Sequence, residues 1–447
     1  SRSLTLSAPM RFDSEQTWST GSFGTSGAAQ IIANGNITGS GKLNVVNASG
    51  RAVTLAGSND FTGDVAIKSG ALRITNSSSL GSGAKTIFIN SATTNALVLA
   101  GDGIVLPATM TVQSSNPNGT IINESGSNRI EGNIQLTAGA GGTRFTSQSG
   151  VLTIAGNIAP TTTGRTLDLR GAGSGILSGD ITDGSGTNTL SAITKNETGT
   201  WTLSGTSTHS ASITLNAGTL ENTGSITTSG SFTSAAGAMY HASGTLTASA
   251  VTVAGALDFV PPTIVTPTTT VALITNTGAA AVSGTFTGKA NNSTFTAGGI
   301  TWRIRYDAGT GNDIVLSADG APIEQWRYTN YGSMLNSGPS LDTADGDGDS
   351  VTNLMEYATA MNPAVNDPVP MSAQKAGNTL EFIYTKNKAA TDITYTVEWS
   401  DDLASWDTAG ITQALVPGSD NGTTQQIKAT VPAGVAKRFV HLKVTRP

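Results

Sequence analysis

Apolar and polar residues alternate in short runs along the first 320 residues of the chain. The runs are separated by Gly, Asn, Ser or Thr-Gly, which favour turns. Alternation with a period of two predicts short β-strands, and clear cases span residues 30–32, 42–46, 86–89, 96–99, 120–122, 133–136, 151–154, 166–169, 212–215, 250–253 and 271–274. Such regular spacing permits a sandwich, a barrel or a solenoid.

A degenerate internal repeat narrows this choice. Twenty residues beginning at Val53, VTLAGSNDFTGDVAIKSGAL, recur beginning at Trp201 as WTLSGTSTHSASITLNAGTL. The copies align without a gap, and although only five positions are identical, the apolar alternation and the turn glycines are kept. A unit of this size cannot bury its apolar face alone, so the repetition predicts that neighbouring units stack on each other.

Three features favour a parallel β-solenoid for residues 1–320. The strands continue without division into modules of about 100 residues, and each repeat copy reads as strand, turn, strand, turn, strand. Positions predicted to point inward hold small or medium apolar residues, whereas Trp, Phe and Tyr are rare there. Asparagines at predicted turns are expected to form side-chain ladders between coils: Asn59, Asn76, Asn90 and Asn123.

The first copy also carries a family resemblance. The segment NDFTG at residues 59–63, followed by residues 65–83, resembles the autotransporter-associated β-strand repeat of bacterial secreted proteins. The copy at 201–220 is a weaker match, because His209 replaces the aromatic residue and Ala211 replaces the following glycine.

The segment at residues 298–316 is similar to one that closes such repeat arrays. The resemblance implies a right-handed β-helix and a bacterial extracellular or cell-surface location. The sequence ends without a carboxy-terminal transmembrane barrel, so we do not expect export by the self-translocating autotransporter route.

Composition excludes several classes of partner. The net charge is −6 and no basic run occurs, so nucleic acid and anionic membrane surfaces are not expected partners. No stretch approaches the roughly 18 apolar residues that a membrane-spanning helix needs. The chain has no cysteine, which excludes disulfides and zinc–thiolate sites. Disorder is the alternative for so Gly-rich a chain, but disordered segments lack the regular apolar alternation.

Residues 321–368 differ from the first 320 in their content of aromatic and charged residues. Ile323, Trp326 and Tyr331 have helical spacing and are the predicted anchors of a short helix. We interpret this segment as a helical hinge that contains a metal-binding loop.

The predicted loop is the segment DGDGDSVTNLMEY, which begins at Asp345 and has the spacing of an EF-hand loop. Carboxylates at positions one, three and five, a backbone carbonyl at seven, an amide at nine and a glutamate at twelve give the predicted ligands Asp345, Asp347, Asp349, Val351, Asn353 and Glu356. Close carboxylates repel one another unless a divalent cation neutralises them. We predict one calcium ion with a structural role, because holding it uses every predicted ligand.

One position of the loop departs from the EF-hand pattern. Ser350 stands at position six, where glycine is usual, so a strained or altered turn is expected. The alternative interpretation is a solvated acidic linker without an ion. The run from the loop to Asn362-Pro363 also resembles the calcium-binding hinge before the last domain of many large bacterial surface proteins.

Residues 369–447 predict a small antiparallel β-sandwich. Four segments alternate cleanly, at 379–385, 393–399, 425–431 and 438–444. Trp399 and Trp406 are the expected anchors of its core. The phrase YTVEWSDDLASW, which contains both tryptophans, resembles a terminal domain found behind the same kind of acidic hinge.

The chain lacks the residue groups that an enzyme on a β-helix would need. Glycosidic cleavage uses paired carboxylates, and lyase chemistry uses a basic side chain. Charged residues before position 320 are few, and the pairs Asp180/Asp183 and Asp168/Arg170 are explained by turn capping or solvation. We therefore predict no enzymatic activity, and the three histidines at positions 209, 241 and 441 suggest no catalytic triad.

The most consistent function is that of an extracellular structural protein, a self-associating subunit of a surface filament or matrix. Solenoid ends expose unpaired backbone groups, and both chain ends are strand-like, at residues 2–6 and 438–444. We expect the protein to bind itself, by strand addition at these ends.

Two alternatives remain open at this stage. The protein could be a monomeric adhesin that binds surface glycans through exposed aromatics, with the candidates Trp18, Trp201, Tyr240 and Trp302. A polysaccharide-cleaving enzyme is the third option, which a groove with three clustered acidic or basic groups would support.

Overall fold

The computed structural model describes residues 2–21, 29–48, 50–90, 96–115, 120–137, 142–432 and 437–446. The chain divides into two compact units. The first comprises Ser1–Val260, Val271–Ser293 and Ile304–Leu316, and the second comprises Pro261–Thr270, Thr294–Arg303 and Ser317–Pro447.

The regular secondary structure of the described residues up to 318 consists of short β-strands. The first of these are β1 (Arg2–Leu6), β2 (Met10–Phe12), β3 (Gln16–Ser19), β4 (Ala29–Ala33), β5 (Ile37–Gly39), β6 (Leu43–Val46), β7 (Ala52–Leu55), β8 (Val65–Ser69), β9 (Ala71–Ile74), β10 (Lys85–Ile89), β11 (Ala96–Ala100), β12 (Val105–Leu106), β13 (Met110–Ser114), β14 (Thr120–Ser125), β15 (Ser127–Ile130), β16 (Ile134–Leu136), β17 (Gly142–Ser147), β18 (Val151–Ile154) and β19 (Ile158–Pro160). They are followed by β20 (Arg165–Arg170), β21 (Ser174–Leu177), β22 (Leu190–Lys195), β23 (Thr200–Leu203), β24 (Thr206–His209), β25 (Ser212–Leu215), β26 (Thr219–Asn222), β27 (Ser225–Thr228), β28 (Ser231–Ser234), β29 (Met239–Ala242), β30 (Thr245–Ala248), β31 (Ala250–Val253), β32 (Ala256–Phe259), β33 (Thr270–Asn276), β34 (Ser283–Gly284), β35 (Thr294–Ala297), β36 (Ile300–Ala308) and β37 (Asp313–Ala318).

Successive strands of the first unit lie on three faces, so the chain coils from one face to the next. The first face is a 13-stranded sheet in the order β1-β4-β7-β9-β11-β14-β17-β20-β22-β25-β28-β31-β34. The second face carries β2-β5 and then the eight strands β12-β15-β18-β21-β23-β26-β29-β32, and the third carries β3-β6-β8-β10-β13-β16-β19 and then β24-β27-β30-β33. Neighbouring strands on each face are parallel, for example β7 and β9. The predicted parallel β-solenoid is confirmed.

Apolar side chains stack on one another from coil to coil. One inward column of the first face pairs residues of successive strands in the order Ile31, Val53, Leu72, Leu97, Ile121, Phe145 and Leu169. All of these except Ile31 are fully buried. Each buried side chain of this kind contributes about 1.5–3 kcal/mol, so the column is a main source of the stability of the first unit.

Aromatic side chains lie inside the solenoid, which corrects the prediction that they are rare there. Trp201 is fully buried and stacks on Phe145, with ring centroids 6.3 Å apart. The in-register neighbour of Trp201 is Gly175, where a Cβ atom would lie 2.4 Å from the indole ring. Tyr240 is also fully buried. The register aims these rings inward, and a glycine on the adjacent coil provides the space that a tryptophan needs.

The same burial corrects the list of aromatics predicted for glycan binding. Trp201, Tyr240 and Trp302 have no exposed surface. Trp18 is half-buried and packs edge-on against Phe12, with centroids 5.7 Å apart. These four side chains therefore do not form an exposed aromatic platform.

The turn asparagines connect coils mainly through hydrogen bonds to backbone groups, in addition to the predicted contacts between side chains. Asn59 accepts a hydrogen bond from the Ile37 N–H (2.8 Å) and donates one to the Ser79 carbonyl (2.6 Å). Asn76 donates to the Ala56 carbonyl of the preceding coil. Buried backbone groups in turns need such partners, so the asparagines satisfy turns that the sheets leave unpaired.

The other two of the four turn asparagines are Asn123 and Asn90. Asn123 donates to the Ser149 carbonyl at 2.8 Å, whereas Asn90 accepts from the Ser115 hydroxyl of the next coil at 2.9 Å. Asn123 also donates to the Ser147 hydroxyl of the next coil at 3.5 Å. Asn90 and Asn123 therefore have contacts between coils of the predicted side-chain type.

The described part of the second unit contains an antiparallel hairpin, two α-helices and two antiparallel sheets. The residues of β35 and β36 that pair are Thr294–Ala297 and Ile300–Arg303. The helices are α1 (Pro322–Tyr331), a 3-10 turn (Gly338–Ser340) and α2 (Asn353–Thr359), and the last strands are β38 (Met371–Ala376), β39 (Thr379–Asn387), β40 (Thr394–Ser400), β41 (Thr412–Leu415), β42 (Thr424–Pro432) and β43 (Phe439–Thr445). One sheet has the order β38-β39-β42-β41, and the other pairs β40 with β43. The predicted antiparallel terminal fold is confirmed.

The helices and the two sheets belong to the same compact unit. Ile323 of α1, Tyr357 of α2 and Ala390 form one buried cluster. Asp392 accepts hydrogen bonds from the Ile323 N–H (3.0 Å) and the Tyr357 hydroxyl (2.5 Å). These contacts attach the predicted hinge segment to the sandwich. The boundary at residue 368 stays a prediction.

Trp399 and Trp406 take different positions in the sandwich. Trp399 is partly buried against the core cluster that includes Phe382 and Val431. Trp406 instead stacks on the His441 ring, with centroids 3.7 Å apart. None of the described helices is long and apolar enough to cross a bilayer.

Candidate metal centre

The acidic loop lies between the 3-10 turn and helix α2, where it brings three predicted ligands together. One carboxylate oxygen from each of Asp345, Asp347 and Asp349 lies within 4.8 Å of the others. Oxygen atoms at such separations can share one cation, since Ca²⁺ binds oxygen at about 2.3–2.6 Å. The alternation of acidic residues with glycine and serine lets every second side chain point to the same side of the turn.

Backbone amides of the loop stabilise the first carboxylate. Asp345 accepts hydrogen bonds from the N–H groups of Gly348 (2.8 Å) and Ser350 (2.9 Å). The bond from Gly348 is the main reason why the pKa of Asp345 lies below its usual value. These hydrogen bonds therefore favour the ionised form of Asp345.

The turn at position six is strained, as the sequence predicts. Ser350 has a φ of +71°, in the left-handed region that favours glycine. A non-glycine residue in this region costs of the order of 1–3 kcal/mol. The loop keeps its curvature in spite of this substitution, since Ser350 still donates its N–H to Asp345.

Glu356, the predicted ligand at position twelve, is buried to an extent that the sequence does not predict. It lies on α2 with 1% of its surface exposed, and neither of its carboxylate oxygens has a hydrogen-bond partner among the described residues. Burial raises the pKa of Glu356 to about 7, with further contributions from the charges of Asp347, Asp349 and Asp345. A buried carboxylate without a partner is costly, so this side chain needs either a proton or a cation.

The remaining predicted ligands, Val351 and Asn353, have other contacts as well. The N–H of Val351 donates to Asp349 at 2.7 Å, and its side chain is buried. The amide of Asn353 donates to the carbonyls of Pro339 (2.8 Å) and Leu341 (2.7 Å). Asn353 thus anchors the loop to the 3-10 turn.

Tyr331 is a neighbour of the loop that the sequence does not reveal. Its hydroxyl donates to the side-chain oxygen of Asn353. Burial raises the pKa of Tyr331, and the charges of Glu356 and Asp347 raise it further. The helical spacing predicts Tyr331 only as an apolar anchor, because its distance from the loop depends on the tertiary fold.

The donor set fits a hard divalent cation. The cluster offers carboxylate oxygens and no nitrogen or sulfur, which suits Ca²⁺ better than a transition metal. Among the described ion pairs, Arg327 and Arg446 bind Asp342, and none joins the four carboxylates of the site. The negative charge of the cluster is therefore not balanced by the described basic side chains.

The charged pairs considered for catalysis have ordinary structural contacts. Asp180 accepts from the Thr206 N–H (2.9 Å), and Asp183 accepts from the Leu190 N–H (2.7 Å). Asp168 forms ion pairs with Arg170 and with Arg144. Capping explains the aspartate pair, as expected.

Two segments of the chain match a family of known sequences, the Passenger-associated-transport-repeat, at residues 52–74 and 193–221. These segments contain both copies of the internal repeat. Searches of curated proteins and of solved structures found no match. Passenger-type repeats on a β-solenoid fit a bacterial protein of the extracellular or surface type, and they are compatible with a non-catalytic role.

Proposed function

We propose that this chain is a non-catalytic structural protein of the bacterial surface, a self-associating subunit of a filament or matrix. The two passenger-type repeats and the solenoid support the surface location.

The observation that carries the proposal is a coil whose strands have an unpaired edge. Among the described residues, β1, β2 and β3 each stand at the end of their sheet. Leu4 of β1 leaves 57% of its surface exposed. Edge strands with exposed apolar side chains readily accept another strand.

The last strand supports the same mode of association. Among the described strands, β43 pairs with β40 alone in a two-stranded sheet, and Phe439 at its start is 39% exposed. A strand from a second copy could extend either edge through backbone hydrogen bonds. The two ends of the chain would then join head to tail, which generates a filament when the rotation between successive copies does not close a ring.

Electron microscopy and light scattering over a concentration series test this proposal. The unmodified chain is expected to form fibres or multimers, and Leu4→Lys should suppress them because a charge on an edge strand opposes strand addition. Leu403→Lys is the matched control, since Leu403 is 56% exposed but lies outside the strands. Monomers at every concentration, or equal assembly of Leu4→Lys, would contradict the proposal.

We further propose that the acidic loop binds one structural calcium ion. The ligands would be carboxylates of Asp345, Asp347, Asp349 and Glu356, with the Val351 carbonyl, and Asn353 would bind directly or through water. The buried, unpartnered carboxylate of Glu356 supports this assignment. The ion would offset part of the negative charge of these carboxylates and hold α2 in place.

Isothermal titration with Ca²⁺ and limited proteolysis with and without a chelator test the calcium proposal. We expect one site, protection by Ca²⁺ of residues near the loop, and loss of both effects in Asp347→Asn. Asp420→Asn is the control, since Asp420 is a surface aspartate paired with Lys388. Unchanged protease sensitivity after chelation would show that the loop is an acidic linker.

A further inference from the structure

A ladder of polar side chains crosses four neighbouring coils on the outer side of the second face. Thr202, Glu221, His241 and Asp258 lie on β23, β26, β29 and β32, and each pairs in register with the next. The residues that flank them along their strands are buried, so these four side chains point away from the core. The parallel register places each of them next to the following one.

The contacts within the ladder orient the imidazole of His241. Its Nδ1 lies 2.7 Å from Asp258 Oδ2, and its Nε2 lies 3.5 Å from Glu221 Oε1. The other oxygen of Glu221 accepts a hydrogen bond from the Thr202 hydroxyl at 2.5 Å. The imidazole is 22% exposed and the Glu221 side chain is 30% exposed, so both groups are held by neighbours but remain accessible to solvent.

This geometry leaves one imidazole nitrogen facing a carboxylate across a gap that suits a metal ion. When Nδ1–H donates to Asp258, the neutral ring presents the Nε2 lone pair towards Glu221. Zinc bonds of about 2.0–2.2 Å in a tetrahedral site place two ligand atoms about 3.4 Å apart. The observed 3.5 Å agrees with that value.

The neighbours of the two ligands match the supports that metal sites use. Metal-bound histidine usually donates its other N–H to a carboxylate, and metal-bound carboxylates are themselves hydrogen-bonded. Here Asp258 is the carboxylate beside the Nδ1 of His241, and the Thr202 hydroxyl donates a hydrogen bond to the carboxylate of Glu221. Imidazole suits zinc, copper, iron and nickel, and zinc also accepts carboxylate oxygen as a ligand.

We propose that Glu221 and His241 bind a divalent transition-metal ion, with Asp258 and Thr202 as positioning residues. The remaining coordination positions would be open to water or to a ligand from another molecule. This site is independent of the calcium loop and of self-association, because it uses none of their residues.

Titration of the full chain with Zn²⁺, Cu²⁺ and Ni²⁺ in saturating Ca²⁺ tests the proposal. We expect one saturable site that His241→Ala abolishes, and a weakening of about 10- to 100-fold in Asp258→Asn, the usual effect of losing such a support. His441→Ala is the matched control, because His441 also lies beside a carboxylate, that of Glu398. Absence of saturable binding, or binding that depends on His441 and not on His241, would overturn the proposal.

A spectroscopic readout separates a metal ligand from a structural ion pair. Bound Cu²⁺ is expected to show nitrogen hyperfine coupling from one imidazole, and Glu221→Gln should change its spectrum while circular dichroism stays constant. If His241 only bridges two carboxylates as a cation, the chain will show no such coupling, and the proposal is then wrong.

Discussion

The two repeat copies occupy the same length of coil but different faces of the solenoid. Val53 pairs with Leu72, and Trp201 pairs with Leu220, so each copy spans one coil of 19 residues. The first copy begins and ends on the 13-stranded face, whereas the second begins and ends on the eight-stranded face. The repeat therefore encodes the length and turn pattern of a coil but not the face on which it begins.

The copies also fill the core differently at equivalent positions. Phe61 is fully buried, and the Lys85 ammonium lies 4.1 Å from its ring centroid. The equivalent His209 is 4% exposed, and neither ring nitrogen has a partner among the described residues. The second copy instead has its large aromatic at Trp201, where the first has Val53. Each copy thus buries one large aromatic side chain, but at a different position of the repeat.

The largest expected effect comes from the relocated aromatic. Trp201→Ala should lower the free energy of unfolding by about 3–5 kcal/mol, the usual range for a large buried aromatic, because it leaves a cavity beside Phe145. Val53→Ala at the equivalent position should cost less, since fewer atoms are removed. Urea denaturation followed by circular dichroism measures both changes. Equal losses in the free energy of unfolding would show that the two positions contribute equally to stability, which would contradict the prediction.

The second prediction concerns pH. Burial lowers the pKa of His209 to about 4, from an ordinary value of 6.5. Between pH 6.5 and pH 4 the unfolded chain therefore binds more protons at this histidine than the folded chain does. The contribution of His209 to the free energy of unfolding is fully present above pH 6.5 and is lost as the pH falls towards 4. A shift of this size corresponds to about 3 kcal/mol.

His209→Phe should remove this pH dependence and make the second copy resemble the first. The measurement is the difference in unfolding free energy between variant and parent at pH 7 and pH 4. Phe61→His is the reciprocal control and should introduce a loss on acidification. A His209→Phe variant with the parent's pH profile would mean that His209 is protonated within the fold.

The sequence predicts the strands and their stacking better than it predicts which side chains point into the core. Alternation and turn residues predict the strands and the parallel stack, because both depend on local sequence. The inward direction of Trp201 and Tyr240 depends on register. Coil length among the paired strands varies from the 17 residues between Met239 and Ala256 to the 31 between Thr252 and Ser283. A one-residue change of register moves a side chain to the other side of the sheet, so sequence alone assigned these rings to the surface.

The acidic loop at residues 345–349 likewise combines features that the sequence predicts with features that depend on the tertiary fold. The spacing of acidic residues predicts which carboxylates come together, since Asp345, Asp347 and Asp349 lie on one short loop. The burial of Glu356 and the proximity of Tyr331 depend on how the helices pack. Likewise, the ladder that contains His241 joins residues from separate coils, and no local motif marks it.

The third prediction tests how tightly coils approach at the glycine that follows the aromatic position. A Cβ at Gly63 would lie 2.2 Å from the Gly41 carbonyl oxygen of the preceding coil. Gly63→Ala should therefore cost about 1–3 kcal/mol through overpacking. Thr62→Ala, at the neighbouring exposed position, is the control and should be close to neutral. A neutral Gly63→Ala would indicate that the turn can move away.

The smallest effect is expected from the reverse change in the second copy. Ala211 is fully buried at the position equivalent to Gly63, and its neighbour on the next coil is Gly230, where a Cβ would lie 2.6 Å from the Ala211 carbonyl carbon. The second copy thus places the glycine on the adjacent coil instead of within the repeat. Ala211→Gly should cost about 1 kcal/mol, through added flexibility of the unfolded chain and the loss of a buried methyl group. Gly230→Ala should lower the free energy of unfolding by more, since the added Cβ would clash with the Ala211 backbone. A larger loss of stability for Ala211→Gly than for Gly230→Ala would contradict this account of coil spacing.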